Sequence, residues 1–238
     1  VQTCALPICI NGVCNATKGI IIQNNGASTW NTNCISFNNA ASFCTLKGLQ
    51  VERDFGNGIY INCSSGSTGC SDLTIDCNRI IPRANVFAGM SIRNSFSGGA
   101  NKNERIFIKN NSFEGAQYNI YVGSSNARGV WEITDNHFYE PSGQNIGTFY
   151  LLDLSDTGTV KINNNYFGGS APYCGGNSMQ YAQLGTSQLS VSANSIHSSE
   201  FIGNHIENLE NQTLDPTTNS QFFSFYNSGF SINNNVFG

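Results

Sequence analysis

Charge is scarce in this 238-residue chain: 11% of positions are Asp, Glu, Lys or Arg, with 11 basic against 15 acidic residues and a formal charge of -4. No basic run and no stripe of basic residues interleaved with aromatics occurs, so an electrostatic grip on nucleic acid is not expected. No segment approaches the ~20 continuous apolar residues that cross a bilayer, so membrane insertion is not expected either. Helical patterning is also missing, since no stretch of useful length carries an i, i+3, i+4 apolar stripe. The three histidines, His137, His197 and His205, lie far downstream of most cysteines and do not complete a zinc-type spacing. The chain opens at Val1-Gln2-Thr3-Cys4 with neither a charged head nor an apolar signal run, which reads as a processed mature protein.

Apolar residues and cysteine, in contrast, are plentiful. Hydrophobic residues make up 39% of the chain, enough for one sizeable core. Nine cysteines cluster early, at Cys4, Cys9, Cys14, Cys34, Cys44, Cys63, Cys70 and Cys77, with Cys174 alone downstream. That density predicts a disulfide-rich N-terminal part, with residues 1–17 as a cap segment and Cys174 as the odd thiol. Glycosylation sequons begin at Asn15, Asn62, Asn110 and Asn211. Together these features predict a secreted or cell-surface glycoprotein.

The strongest pattern is a degenerate octad: apolar, any, apolar, any, any, Asn, any, apolar. Clear copies are Leu73 to Ile80, Ile106 to Phe113, Trp131 to Phe138, Val160 to Phe167, Leu189 to Ile196 and Phe230 to Phe237, with an earlier match at Ile20 to Ala27. The segment Cys44 to Val51 fits with Leu49 in the Asn place. The anchor positions 25, 49, 78, 111, 136, 165, 194 and 235 are mostly 24 to 33 residues apart, the period of a solenoid coil. Period-two alternation makes each copy a short strand with one buried face. The Asn then serves the bend, by tolerating the left-handed region and by bonding the Asn of the next coil. Residues 18–238 are therefore expected to form an all-β, single-stranded parallel β-helix (a solenoid) of about eight coils, ~35 Å long. Its Asn ladder would comprise Asn25, Asn78, Asn111, Asn136, Asn165, Asn194 and Asn235, with Phe113, Phe138 and Phe167 stacked beyond the bend. The stretch 195 to 235 is too long for one coil, and Phe201-Ile202-Gly203-Asn204-His205-Ile206 carries part of a further motif.

The Ile-x-x-x-Asn-x-Phe rung, the coil length and the Asn ladder resemble the right-handed parallel β-helices of the pectin-lyase-like superfamily. The resemblance covers about residues 18–238 and implies a secreted or surface protein that holds or acts on polysaccharide. That superfamily includes lyases, hydrolases and epimerases as well as adhesins, tailspikes and surface fibres, so fold alone does not choose among them.

On the outward positions, charge concentrates in the middle coils. Asp76, Lys109 and Glu132 are expected on neighbouring rungs, flanked after the bend by Arg79 and His137. In a polysaccharide lyase acting by β-elimination on a uronate glycan, Asp76 and Glu132 would hold Ca²⁺, and Arg79, Lys109 or His137 would act as the base. The same residues also read as opposite charges on solvated rungs that stabilise the ladder. The Asn-Thr-Asp, Asp-Asp and Gly-His-Gly segments of polygalacturonase-type hydrolysis are absent. Tyr118, Tyr121, Tyr150 and Tyr166 belong to a set of aromatics that would form a sugar-binding or packing surface. The final motif, Phe230 to Gly238, carries no polar cap, which predicts end-to-end self-association or neighbouring coils of a longer assembly. The sequence thus supports an extracellular structural or surface β-helix associated with carbohydrate and needing no cofactor. A Ca²⁺-assisted lyase is the alternative.

Overall fold

In a computed structural model of the chain, the described residues are 8–10, 13–15, 21–23, 32–38, 41–53, 56–63, 69–82, 89–96, 103–114, 118–122, 127–139, 148–154, 159–167, 179–181, 189–193, 199–206, 209–211, 223–226 and 230–237. The alternating segments form short strands that stack in parallel on three faces. The first face holds Thr45–Lys47, Ser71–Asp76, Asn103–Lys109, Ala127–Thr134, Thr159–Asn163, Ser199–Ile202 and Phe230–Asn233. The second is an eight-stranded sheet of Ile21–Gln23, Gln50–Arg53, Arg79–Pro82, Ser112–Glu114, His137–Tyr139, Tyr166–Phe167, His205–Ile206 and Val236–Phe237. The third holds Asn33–Asn38, Asn57–Cys63, Met90–Phe96, Tyr118–Val122, Thr148–Leu154, Leu189–Ala193 and Phe223–Tyr226. The chain visits first, second and third face in turn, so the fold is an all-β parallel β-solenoid. Two pairs lie outside this plan, an antiparallel hairpin of Ile8–Ile10 with Val13–Asn15 and a parallel pair of Met179–Tyr181 with Leu209–Asn211.

The corner between first and second face is built from two adjacent residues with different duties. Gly48, Cys77, Asn110, Asp135, Asn164, Gly203 and Asn234 all have φ between 55° and 72°. The left-handed residue is therefore the one before the ladder position, not the ladder Asn itself as the sequence suggested. Its geometry turns the chain, and Gly, Asn and Asp are the residues that enter this region at least cost. At Gly203 space is also decisive, because a Cβ there would lie 2.5 Å from Asn164 Oδ1.

The ladder residue, released from the turn, uses its amide along the solenoid axis. In Asn136, Oδ1 accepts from Asn111 N (2.9 Å) and Asn111 Nδ2 (3.0 Å). Its Nδ2 donates back to Ile108 O (2.8 Å) and forward to Asn165 Oδ1 (3.1 Å). The same grammar joins Asn78 to Asn111, Asn136 to Asn165, Asn165 to Asn204 and Asn204 to Asn235. The ladder starts at Leu49, whose backbone N–H donates to Asn78 Oδ1 (3.0 Å). Asn204, rather than Asn194, follows Asn165. Gly203 supplies the left-handed corner that Asn204 needs, and Leu189–Ala193 runs on the third face, paired with Thr148–Leu154. Asn25 and Asn194 themselves lie outside the described residues. The strand before Asn25, Ile21–Gln23, belongs to the second face, where Ile21 pairs with Gln50.

Inward residues form buried rows. Leu73, Ile106, Trp131 and Val160 share one register and Ile75, Ile108, Ile133, Ile162 and Phe201 the next. Phe113 and Phe138 stack with ring centroids 4.7 Å apart, and Phe138 and Phe167 at 5.1 Å.

The expected disulfide-rich N-terminal part is overturned at Cys34 and Cys44. Cys34 and Cys44 are thiols that donate to Glu52 O and Ser42 O, each at 3.4 Å, whereas Cys70 and Cys77 are disulfide-bonded. The physical reason lies in where the cysteines fall. Cys34 and Cys44 pack against the apolar core, so their side chains act as small hydrophobes of the interior. Cys174 lies outside the described residues.

Candidate functional site

The first face determines what the charged middle rungs can do. Its two outward rows read Thr45, Thr74, Phe107, Glu132, Lys161, Glu200, Ser231 and Lys47, Asp76, Lys109, Thr134, Asn163, Ile202, Asn233. Asp76 and Lys109 are thus direct neighbours, whereas Glu132 lies two rungs from Asp76 and in the other row. Each carboxylate is turned to a lysine of its own, Asp76 to Lys47 and Glu132 to Lys161. Among the described residues, no group of three His, Cys, Asp or Glu side chains comes together as a metal site.

Asp76 is already engaged. Lys47 Nζ lies 2.8 Å from its Oδ2, and Asn110 Nδ2 donates to its Oδ1 at 2.9 Å. Partial burial pushes this carboxyl up, but the Lys47 and Asn110 hydrogen bonds and the nearby Lys47 and Lys109 charges outweigh it, and the net direction is down. A carboxyl depressed in the folded state stabilises the fold above the unfolded-chain value, near 3.9, and loses that contribution as pH falls through its folded value. Because Lys47 is more than half exposed, the loss expected for this pair on acidification from pH 7 to pH 2 is ~0.5–1 kcal/mol. Urea unfolding at both pH values should show it, with Lys47→Met reducing the pH-dependent difference. Equal acid sensitivity in both proteins would remove the pair from the account.

Other charges pair in the same way. Lys161 Nζ lies 3.4 Å from Glu132 Oε1, and Asn163 Nδ2 donates to Glu200 Oε2 at 2.8 Å. At the start of the face, Phe43, Asp72 and Arg105 are left-handed, with φ of 54° to 57°. Arg105 grips Asp72 in a bidentate pair at 2.7 and 2.8 Å, which holds the Asp72 carboxyl below its ordinary range.

Arg79 and His137, expected after the bend, lie there on the second face. Arg79 Nη2 is 3.4 Å from Glu114 Oε2. His137 is fully buried, its ring edge-on to Tyr166 at 4.7 Å, with His205 following at 4.7 Å. The structure therefore joins Asp76 with Lys109, places Glu132 in a separate pair, and puts Arg79 and His137 on another face. Of the sequons, Asn62 lies in a third-face strand, Asn110 is the corner residue bonded to Asp76, and Asn15 and Asn211 lie in the two extra strand pairs.

The third face carries a row that sequence reasoning missed. Tyr60, Arg93 and Tyr121 are register partners on consecutive strands, half-buried on the outer side, with Arg93 Cζ 5.2 Å from the Tyr60 ring centroid. Only Tyr121 was singled out beforehand. The signal is a bulky polar residue between two buried positions in Ile59-Tyr60-Ile61, Ile92-Arg93-Asn94 and Ile120-Tyr121-Val122, without the fixed Asn spacing of the first-face motif.

This geometry defines a class, the parallel β-solenoid. No family model matches the chain, and comparison with curated proteins and with solved structures finds no match.

Proposed function

We propose that the chain is a structural scaffold of the extracellular space or a cell surface, extending by rung-on-rung association and associated with carbohydrate. The observation that carries this reading is the outermost rung. Ile232 and Phe237 are 49% and 61% exposed, whereas Phe201 and Ile206, their counterparts one rung inward, are buried. An apolar rung with an open strand edge is a template for another strand, from a second copy or from neighbouring coils of a longer assembly. The rung motif's likeness to the pectin-lyase-like superfamily supports the surface and carbohydrate setting, and the sequons support a location outside the cell.

Sedimentation velocity and electron microscopy of the purified chain test the reading. Rods that lengthen with concentration and shorten in Phe237→Lys are expected, while a compact monomer at every concentration would sink it. The lyase alternative is the weaker reading because His137 is buried and Asp76 is bound to Lys47. A rise in 235 nm absorbance on uronate polysaccharides with Ca²⁺, lost in Lys109→Ala, would reverse that order.

A further inference from the structure

We propose that the open rung at the Phe237 end of the solenoid is a receptor for an Asn-bearing strand, an extended segment of a partner chain that carries the rung motif with Asn in the ladder place. The inference rests on the rung-on-rung scaffold reading and deepens it by naming the partner this end selects.

The ladder is directional, and its direction leaves this end with a specific demand. At each inner rung the backbone N–H and one amide hydrogen of the ladder Asn meet a single oxygen, Oδ1 of the next Asn. Asn165 meets Asn204 so, at 2.9 and 3.1 Å, and Asn204 meets Asn235 at 2.8 and 3.0 Å. Asn235 Nδ2 donates back to Phe201 O (2.9 Å), but its backbone N–H and its other amide hydrogen meet no acceptor among the described residues. They form a two-donor fork aimed along the axis. The same rung also offers an acceptor. Each ladder Nδ2 reaches back to the carbonyl three residues before the preceding ladder Asn, Asn204 to Ile162 O and Asn235 to Phe201 O. Phe201 is in register with Ile232, so Ile232 O is the carbonyl an incoming ladder amide would reach.

One kind of side chain answers all three groups. A primary amide accepts both donors through its oxygen and donates to Ile232 O through its nitrogen. A carboxylate accepts without donating, and an alkyl group does neither and buries the fork unmet, at the full desolvation cost of two donors. The rest of the rung sets the register. Among the described residues, Phe230–Asn233 and Val236–Phe237 pair on one side, with Ser199–Ile202 and His205–Ile206. An added strand gains main-chain bonds at the other edge whatever its sequence, and the side-chain places then give specificity. Exposed Ile232 and Phe237 receive the apolar residues three before and two after the partner's Asn. No residue from 230 to 237 is charged, so charge does not choose the partner.

The same demand disfavours the N-terminal rung of a second copy as occupant. There the ladder place is Leu49, which joins the ladder through its backbone N–H alone. Ile21 is in register with Gln50, and the residue that precedes Ile21 in the sequence, as Leu49 precedes Gln50, is Ile20. Such a rung pairs its strands and stacks its apolar residues but leaves the fork unmet, so an Asn-bearing segment displaces it.

Fluorescence anisotropy with the whole chain, below the concentration at which it self-associates, tests this with three labelled peptides: residues 159–167, and the same peptide with Asn165→Leu or with Asn165→Asp. The parent peptide is expected to bind with an affinity insensitive to salt, and Asn165→Leu to weaken it by ~10-fold or more, with Asn165→Asp between the two. In the chain, Phe237→Lys should abolish binding. Asn235→Ala, which keeps the backbone donor and removes the amide one, should narrow the preference for the parent over the Asn165→Leu peptide to ~3-fold. Equal affinity for the parent and Asn165→Leu peptides, tighter binding of Asn165→Asp, full binding by Phe237→Lys, or no binding of any peptide would overturn the proposal. Rods without peptide selectivity would refute the receptor and leave the assembling scaffold standing, and selectivity without rods would do the reverse.

Discussion

Replacing Asn136 by Ala is expected to lower the unfolding free energy by ~3–5 kcal/mol, far more than loss of an ordinary hydrogen bond. The reason is the number of buried groups that one amide serves. Its removal orphans the backbone N–H of Asn111 and one Asn111 amide hydrogen, and takes away a donor from Ile108 O and from Asn165 Oδ1. Asn78, Asn111, Asn136 and Asn165 are all buried, so water does not replace the lost partners in place, and each orphan costs ~1–3 kcal/mol. The ladder is also directional, every Oδ1 receiving from the rung before, so its members polarise one another. Asn235→Ala is the internal control. It removes the bonds from Asn204 and the bond to Phe201 O, but on a half-exposed rung where water substitutes, and ~1 kcal/mol is expected. Urea midpoints at constant m-value give both numbers. A cost for Asn136→Ala no greater than that for Asn235→Ala would mean that the ladder follows the fold without holding it.

How much of this was legible in the sequence depended on which residues announce themselves locally. The first-face rungs at Leu73, Ile106, Trp131 and Val160 were readable because a two-residue period and a fixed Asn coincide there. The Phe113, Phe138 and Phe167 stack followed, since each lies two residues past its ladder Asn. Leu189 to Ile196 misled for the same reason: alternation and an Asn recur, but the first-face corner requires a left-handed residue just before the Asn, and Gly203 supplies it for Asn204. The cysteines misled in part, because spacing along the chain does not say whether a thiol packs against a core, as those of Cys34 and Cys44 do, while Cys70 and Cys77 are disulfide-bonded. The charged patch was half legible. Asp76 and Lys109 are neighbours as their motif positions imply, but the Lys47 and Asn110 bonds to Asp76, and the burial of His137, depend on packing between rungs that no local window contains. The Tyr60–Arg93–Tyr121 row escaped because third-face strands vary in spacing and carry no invariant corner.

Phe138→Ala is expected to cost ~4–5 kcal/mol, at the upper end for a buried aromatic. Phe138 is fully buried and central in a stack, nearly parallel to Phe113 (4° between planes) and to Phe167 (13°). Truncation leaves a cavity that neighbouring rungs cannot close without breaking their strand pairing, and it removes two ring contacts worth ~0.5–1.5 kcal/mol each. Phe138→Leu separates the two causes, because it keeps most of the volume and loses the stacking. A cost of ~1.5–2.5 kcal/mol is expected for it, with a coupling of ~0.5–1 kcal/mol to Phe113→Leu in a double-mutant cycle. A solenoid adds a spatial signature, since each rung contacts only its neighbours. Amide exchange should therefore accelerate most in Ser112–Glu114, His137–Tyr139 and Tyr166–Phe167, and least in Gln50–Arg53, three rungs away from Phe138. Uniform acceleration along the whole second face would show instead that the rungs unfold as one cooperative unit, and that the stack's energy is shared over the full length of the solenoid.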